Sequence, residues 1–186
     1  MYELFTLGQL MDRPMHGYLV HQTISMAIGP LRQMSWGALY PLVRRLEEEG
    51  LIEQQEQPEA QGGHQRKMYA ITDAGRARFK ELMLCHAAYN ADYPDHFAIK
   101  FCNFHTIAPE EQLIALEHYR GFLGWQREYF QAQRQRIAVP AEISAPKRSQ
   151  ILRVLDHRQR LLEADTLWVE QELAERVASQ PAQTPT

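Results

Sequence analysis

Ser35-Trp36-Gly37-Ala38-Leu39-Tyr40-Pro41-Leu42-Val43-Arg44-Arg45-Leu46-Glu47-Glu48-Glu49-Gly50 reads as a single helix with a start, a stop and two unlike faces. Ser35 is a candidate N-cap, because its hydroxyl can accept from a free N–H of the first turn. Gly50 can take the left-handed conformation that ends a helix. Leu39, Leu42, Val43 and Leu46 recur at the spacing of a buried stripe. At about 100° per residue, Gly37, Pro41 and Arg44 point away from that stripe, with Tyr40 and Arg45 on its flanks. Pro41 removes one internal hydrogen bond, which predicts a bend or loosened first turns. An outer face with little bulk at one end and arginines further along suits close approach to a polyanion, and predicts a helix that enters a DNA major groove. A solvated surface helix is the plainer alternative, so the flanking sequence decides.

Upstream, residues 2–11 read as a short amphipathic helix with Leu4, Leu7, Leu10 and Met11 buried, broken by Asp12-Arg13-Pro14. His16-Gly17-Tyr18 opens a second helix to about Ile28, with Leu19, Val20, Ile24, Ala27 and Ile28 as its apolar side. Gly29-Pro30 stops it, and residues 31–34 lead to Ser35. Two helices with a short linker before a polar-faced second one is a helix-turn-helix pattern, and the longer link points to the winged variant. Downstream, residues 51–57 and 66–71 read as two strands around the turn-rich loop 58–64, with Lys67, Tyr69 and Ile71 on one face. His64, Arg66 and Lys67 put donors and cations at the tip of this wing, where they can lie along a phosphate backbone or in a minor groove. Thr72 caps a further helix from Asp73 to about Cys85.

The motifs Leu7-Gly8-Gln9-Leu10, His16-Gly17-Tyr18, Ser35-x-Gly37-x-Leu39-Tyr40-Pro41, Leu46-Glu47-x-x-Gly50-Leu51-Ile52 and Arg66-Lys67-x-Tyr69-x-Ile71-Thr72-x-x-Gly75-Arg76 together resemble the PadR family of winged helix-turn-helix transcriptional regulators, over about residues 3–85. The resemblance implies a homodimer that binds a palindromic operator on double-stranded DNA, often repressing until a small molecule binds. It makes the helix after Ser35 the recognition helix. It assigns DNA contacts to Tyr40 and its neighbours Ser35, Trp36, Gly37, Arg44 and Arg45, a phosphate contact to Tyr18, and the wing to the Arg66-Lys67 region. Tyr18 and Tyr40 can donate to phosphate oxygens, and Arg44 can reach a phosphate or fork onto guanine.

The second half changes character. Residues 86–108 are aromatic-rich, with a helix expected from about Asp95 to His105. A long helix follows from Thr106–Ala108 to Ile137, then a loop bracketed by Pro140 and Pro146, then a last helix from Lys147 to about Ala178. Leu152, Leu155, Leu162, Val169 and Leu173 form a heptad-like seam. A helical hairpin has two faces to cover and one neighbour in its own chain, so dimerisation is expected. Long C-terminal helices of this layout resemble the virulence-activator type of PadR protein. The expected architecture is mostly α with a small β-hairpin wing: a winged helix-turn-helix domain at 1–86, a helical dimerisation domain at 87–178 and a disordered tail at 179–186. The aromatic stretch and Trp125 or Trp168 offer a candidate sensor pocket for a small aromatic or apolar effector, although such stripes are more often core.

The chain has 186 residues and a formal charge of −3, so no global basic signal accompanies the DNA reading. Glu47, Glu48 and Glu49 must then face away from phosphates. Cys85 and Cys102 do not make a disulfide framework, no basic signal-peptide start is visible, and no apolar run is long enough for a bilayer; a cytoplasmic protein with no membrane partner is expected. Cys85-His86, His96 and Cys102-x-x-His105 lack ordinary zinc spacing, so no metal or other cofactor is expected. No phosphate loop or nucleophile motif is present. The rivals to a DNA-binding regulator are a winged-helix protein–protein adaptor and a small enzyme on the helical half, for which the sequence names no catalytic group.

Overall fold

The computed structural model describes residues 1–29, 35–55, 67–138 and 143–179; of residues 24–28 only the backbone is described. It contains α1 (Tyr2–Asp12), β1 (Met15–His16), α2 (Gly17–Ile28), α3 (Trp36–Glu48), β2 (Ile52–Gln55), β3 (Met68–Ile71), α4 (Asp73–Leu84), α5 (Tyr93–Cys102), a 3-10 turn at Phe104–Thr106, α6 (Pro109–Ala138) and α7 (Ala145–Ser179). These form two compact units, Met1–Ala108 and Pro109–Thr186.

In the first unit α1 is the central helix. Leu4, Phe5, Leu7 and Leu10 are buried, and so are Thr6 and Gly8 on its other sides. The single apolar side expected from sequence is therefore replaced by burial nearly all round, while Met11 stays half-buried. Helix α3 follows its pattern: Leu39, Val43 and Leu46 face inward, Leu42 is half-buried, and the helix runs through Pro41 without a break. Ser35 caps differently from the expectation. Its hydroxyl makes no capping hydrogen bond, and its backbone carbonyl accepts from the N–H of Ala38 at 2.9 Å and of Leu39 at 3.0 Å. Gly50, at φ +69°, supplies the left-handed turn that ends the helix.

The wing is a sheet of three antiparallel strands in the order β1-β3-β2, with Met15 opposite Tyr69 and Ile52 opposite Ile71. A two-stranded hairpin was the expectation; β1 adds the third strand and makes β3 central. Its residues Tyr69, Ala70 and Ile71 are all buried, so the strand does not alternate inside and outside. The loop expected at 58–64, and with it His64 and Arg66, lies outside the described residues.

Thr72 joins two elements. Its hydroxyl accepts from the Gly75 N–H at 3.1 Å, capping α4, and donates to the Gly50 carbonyl at 2.6 Å. Gly75 is obligatory there, because a Cβ would stand 2.0 Å from the Leu51 carbonyl oxygen.

The aromatic segment was expected to open the helical half at residue 87. Instead α5 and the 3-10 turn belong to the first unit, and α5 packs on α2 and α1. The reason is burial: Tyr93, Phe97, Ile99 and Phe104 fill its core. α5 also begins earlier than expected, at Tyr93, because Pro94 in its first turn fits a helix start. Lys100, only 8% exposed, donates to the Cys85 carbonyl just past α4.

In the second unit α6 and α7 run antiparallel, as Arg134 to Asp156 at 3.0 Å and Arg176 to Gln112 at 3.1 Å show at opposite ends. Leu116, Tyr119, Phe122 and Leu123 pack with Leu162, Val169 and Leu173. Pro146 does not bracket a loop but lies in the first turn of α7, where its missing N–H costs nothing. Of the five residues expected at a dimer seam, Leu162, Val169 and Leu173 are buried within the chain, and Leu152 and Leu155 are half-buried. Among the described residues of this unit the large apolar side chains left exposed are Val154, Leu161, Leu167, Trp168 and Val177 on α7 and Ile114, Trp125 and Tyr129 on α6. The tail from 180 onward lies outside the described residues. No helix of the described residues is long and apolar enough to cross a membrane.

Candidate nucleic-acid interface

The start of α2 and the start of α3 bring four rings together. Trp36 lies flat on His21, with ring centroids 4.1 Å apart and planes within 5°. Tyr18 stacks at 6.0 Å and 19°, and Tyr40 is tilted at 5.6 Å and 31°. Tyr18 and Tyr40 are well exposed, and Trp36 keeps 38% of its surface in solvent. Local sequence accounts for the cluster. Tyr18 and His21 are three apart on α2, and Trp36 and Tyr40 four apart on α3, so each pair shares a helical face. His21 was not singled out from sequence, though its spacing from Tyr18 was the available signal.

Gly37 is exposed beside Trp36, and a Cβ there would meet nothing nearer than the Ser35 hydroxyl at 3.8 Å. Among the described residues neither packing nor a positive φ requires glycine at this position. Glycine costs a helix interior about 1 kcal/mol relative to alanine. Its effect is a low shelf between Trp36 and Tyr40.

The two arginines part company. Arg44 is exposed and paired along the helix with Glu48 at 2.8 Å. Such an exposed pair contributes only ~0.3–0.5 kcal/mol, so the guanidinium exchanges readily onto another anion. Arg45 instead turns back onto α1, reaching Glu3 at 2.7 Å and Glu49 at 3.1 Å. Glu3 also accepts from Arg78 of α4 at 2.8 Å. Burial raises the Glu3 pKa, but the Arg45 and Arg78 hydrogen bonds outweigh it and hold the carboxyl below its ordinary value. Behind α3, burial pushes up the pKa of the Tyr69 hydroxyl, helped by nearby Glu47 and Tyr40.

The structure thus gathers Tyr18, Ser35, Trp36, Gly37 and Tyr40, all exposed, with Arg44 further along the same helix. Arg45 does not join them. Lys67 is exposed before β3, and its carbonyl accepts from His16 Nδ1 at 3.4 Å. Among the described residues no group of three or more His, Cys, Asp or Glu is assembled to hold a metal ion.

Residues 6–81 match the transcriptional regulator PadR-like family. No curated protein matches the chain. Among solved structures, Bacillus subtilis PadR in complex with operator DNA is similar at 20% identity and a TM-score of 0.44, covering 94% of this chain and 98% of that one. The same Bacillus subtilis protein in complex with p-coumaric acid gives a TM-score of 0.40 at 20% identity, covering 94% and 97%. The protein smu.1704 of Streptococcus mutans UA159 is 31% identical over 44% of this chain and 71% of its own, with a TM-score of 0.37.

Proposed function

We propose, from the match of residues 6–81 to the transcriptional regulator PadR-like family, that the chain belongs to that family, binds double-stranded DNA sequence-specifically and represses transcription. The observation that carries the reading is the exposed face of α3, where Trp36, Gly37 and Tyr40 precede Arg44 on a helix whose other side is anchored in the core. Residues at the start of a recognition helix are those that meet base edges. Tyr18 then donates to a phosphate, and the exposed Ser35 at the start of α3 offers a second hydroxyl. Lys67, with His64 and Arg66 close to it in sequence, adds backbone contacts that position without reading sequence. Arg45 holds the helix through Glu3 rather than touching DNA.

The protein acts as a homodimer on a palindromic operator with half-sites ~34 Å apart. The support is the exposed apolar residues of the second unit, Val154 and Leu161 among them at heptad spacing. Leu152 and Leu155 are available to the same contact, whereas Leu162, Val169 and Leu173 act within the chain. On family resemblance, a small aromatic or apolar effector releases the DNA.

Titration of full-length protein with duplexes recovered from a random-sequence library tests this. Tight binding to a recovered inverted repeat is expected, and Arg44→Ala is expected to weaken it and reduce the slope of log K against log salt by about 1. Tyr40→Ala is also expected to weaken it. Failure to enrich any duplex overturns the reading. Leu161→Glu is expected to give monomers by sedimentation without loss of helix content; an unchanged oligomeric state overturns the assembly proposed. The pairing of both α3 arginines with glutamates favours a second reading, a winged-helix protein–protein adaptor. Weak binding with little salt dependence supports that reading instead.

A further inference from the structure

The first two turns of α3 carry almost no hydrogen-bonding chemistry. Between Trp36 and Val43 the side chains offer only the indole N–H and the Tyr40 hydroxyl. The groups that fork onto guanine or adenine are arginine, lysine, asparagine and glutamine, and Arg44 is the first of them on the helix. It stands eight residues beyond Trp36, ~12 Å along the axis. What an apolar surface can recognise in the major groove is the C5-methyl of thymine.

Trp36 is built for such a contact. It is the first residue of the helix and is partly exposed. His21 covers it in a parallel stack, and Tyr18 and Tyr40 flank it. A side chain already immobilised loses little rotamer freedom on binding. Gly37 leaves open the space next to the indole.

We propose that Trp36 is a specificity-determining residue that reads a thymine methyl in each half-site, and that His21 is the positioning residue that holds its ring. This rests on the DNA-binding reading above. It assigns to the indole a base contact rather than a phosphate contact.

Deoxyuridine in place of thymidine deletes one methyl and changes no hydrogen bond. A duplex recovered by the full-length protein is remade with this replacement at one position at a time, and the affinity of each is measured. One position per half-site is expected to lose about fourfold, the equivalent of burying one methyl group. Trp36→Ala should abolish that loss at that position while leaving the salt slope unchanged, since no phosphate contact is removed. Trp36→Phe should keep part of it, and guards against misfolding of the alanine variant. His21→Ala should shrink the thymine-over-uracil ratio, again with no change in salt slope. A tightly bound duplex indifferent to uracil at every position overturns the inference and leaves DNA binding standing. A uracil penalty that persists at full size in a folded Trp36→Ala also overturns it. If no duplex is recovered, the DNA-binding reading falls and takes this contact with it.

Discussion

Glu3 and Arg45 form a 2.7 Å ion pair between α1 and α3, and the same carboxylate accepts from Arg78. The Glu3 side chain is only 16% exposed. Glu3→Gln leaves two guanidiniums facing a neutral amide, and is expected to destabilise by about 1–3 kcal/mol in urea unfolding. Arg45→Ala should likewise lower stability while leaving the salt slope of DNA binding near the wild-type value. Arg44→Ala should do the reverse. Equal loss of salt slope in both variants would place Arg45 on the DNA.

Gly37→Ala should raise stability and lower affinity together. Alanine fits the helix without a clash and gains about 0.5–1 kcal/mol in thermal unfolding. The added methyl fills the shelf where a base edge approaches, so the same variant is expected to bind duplex several-fold more weakly. A variant that binds normally would show that the shelf is not used.

Gly75→Ala should be among the most damaging single-methyl changes in the chain. The new Cβ would lie 2.0 Å from the Leu51 carbonyl oxygen and 2.7 Å from Ile71, and a backbone atom cannot swing aside as a side chain can. A loss of at least ~2 kcal/mol is expected. Gly124→Ala, where nothing lies within 4 Å, is the control and should be neutral or stabilising.

Acid should loosen the first unit before it reaches the carboxylate range. Burial, the Met1 ammonium and Lys100 lower the His96 pKa to about 4, from an ordinary 6.5. The native state therefore excludes a proton that the unfolded chain accepts. His96 adds no pH dependence above about pH 6.5, and its contribution falls as pH drops from 6.5 towards 4. Because the ring is partly exposed, the loss should be smaller than the full shift implies. Glu3, whose pKa is depressed, contributes stability above its ordinary pKa that is lost as pH falls further. Urea midpoints measured from pH 8 to 4 check this, and His96→Leu should flatten the upper part of the fall.

Much of the first unit is legible because its signals are local. The α3 stripe, the Gly50 stop and the Thr72 cap are each written within a turn or two of sequence. What escapes is set by partners distant in the chain. β1 is a two-residue strand with no period of its own, and it exists because β3 lies beside it. A helical wheel puts Arg44 on the outer face and Arg45 on its flank, but it does not show that Glu3, distant in the chain, holds Arg45. His21 gains meaning when Trp36 lands on it. The heptad-like pattern of Leu162, Val169 and Leu173 correctly marks a buried face, but periodicity does not say whether the cover is a neighbouring helix or a second copy. The aromatic run of α5 shows the same limit, because hydrophobicity predicts burial without naming the core it joins.

The Thr72 hydroxyl has a mechanical consequence. One oxygen fastens the stop of α3 to the start of α4, while Glu3 fastens the flanks of the same two helices. Moving one helix against the other costs these bonds. Helix α4, twelve residues and ~18 Å long, is a lever whose far end is gripped by Lys100 of α5 at the Cys85 carbonyl. A displacement of α5 reaches α4 through the Lys100 bond, and α3 and α4 part from each other only if the Thr72 bonds break.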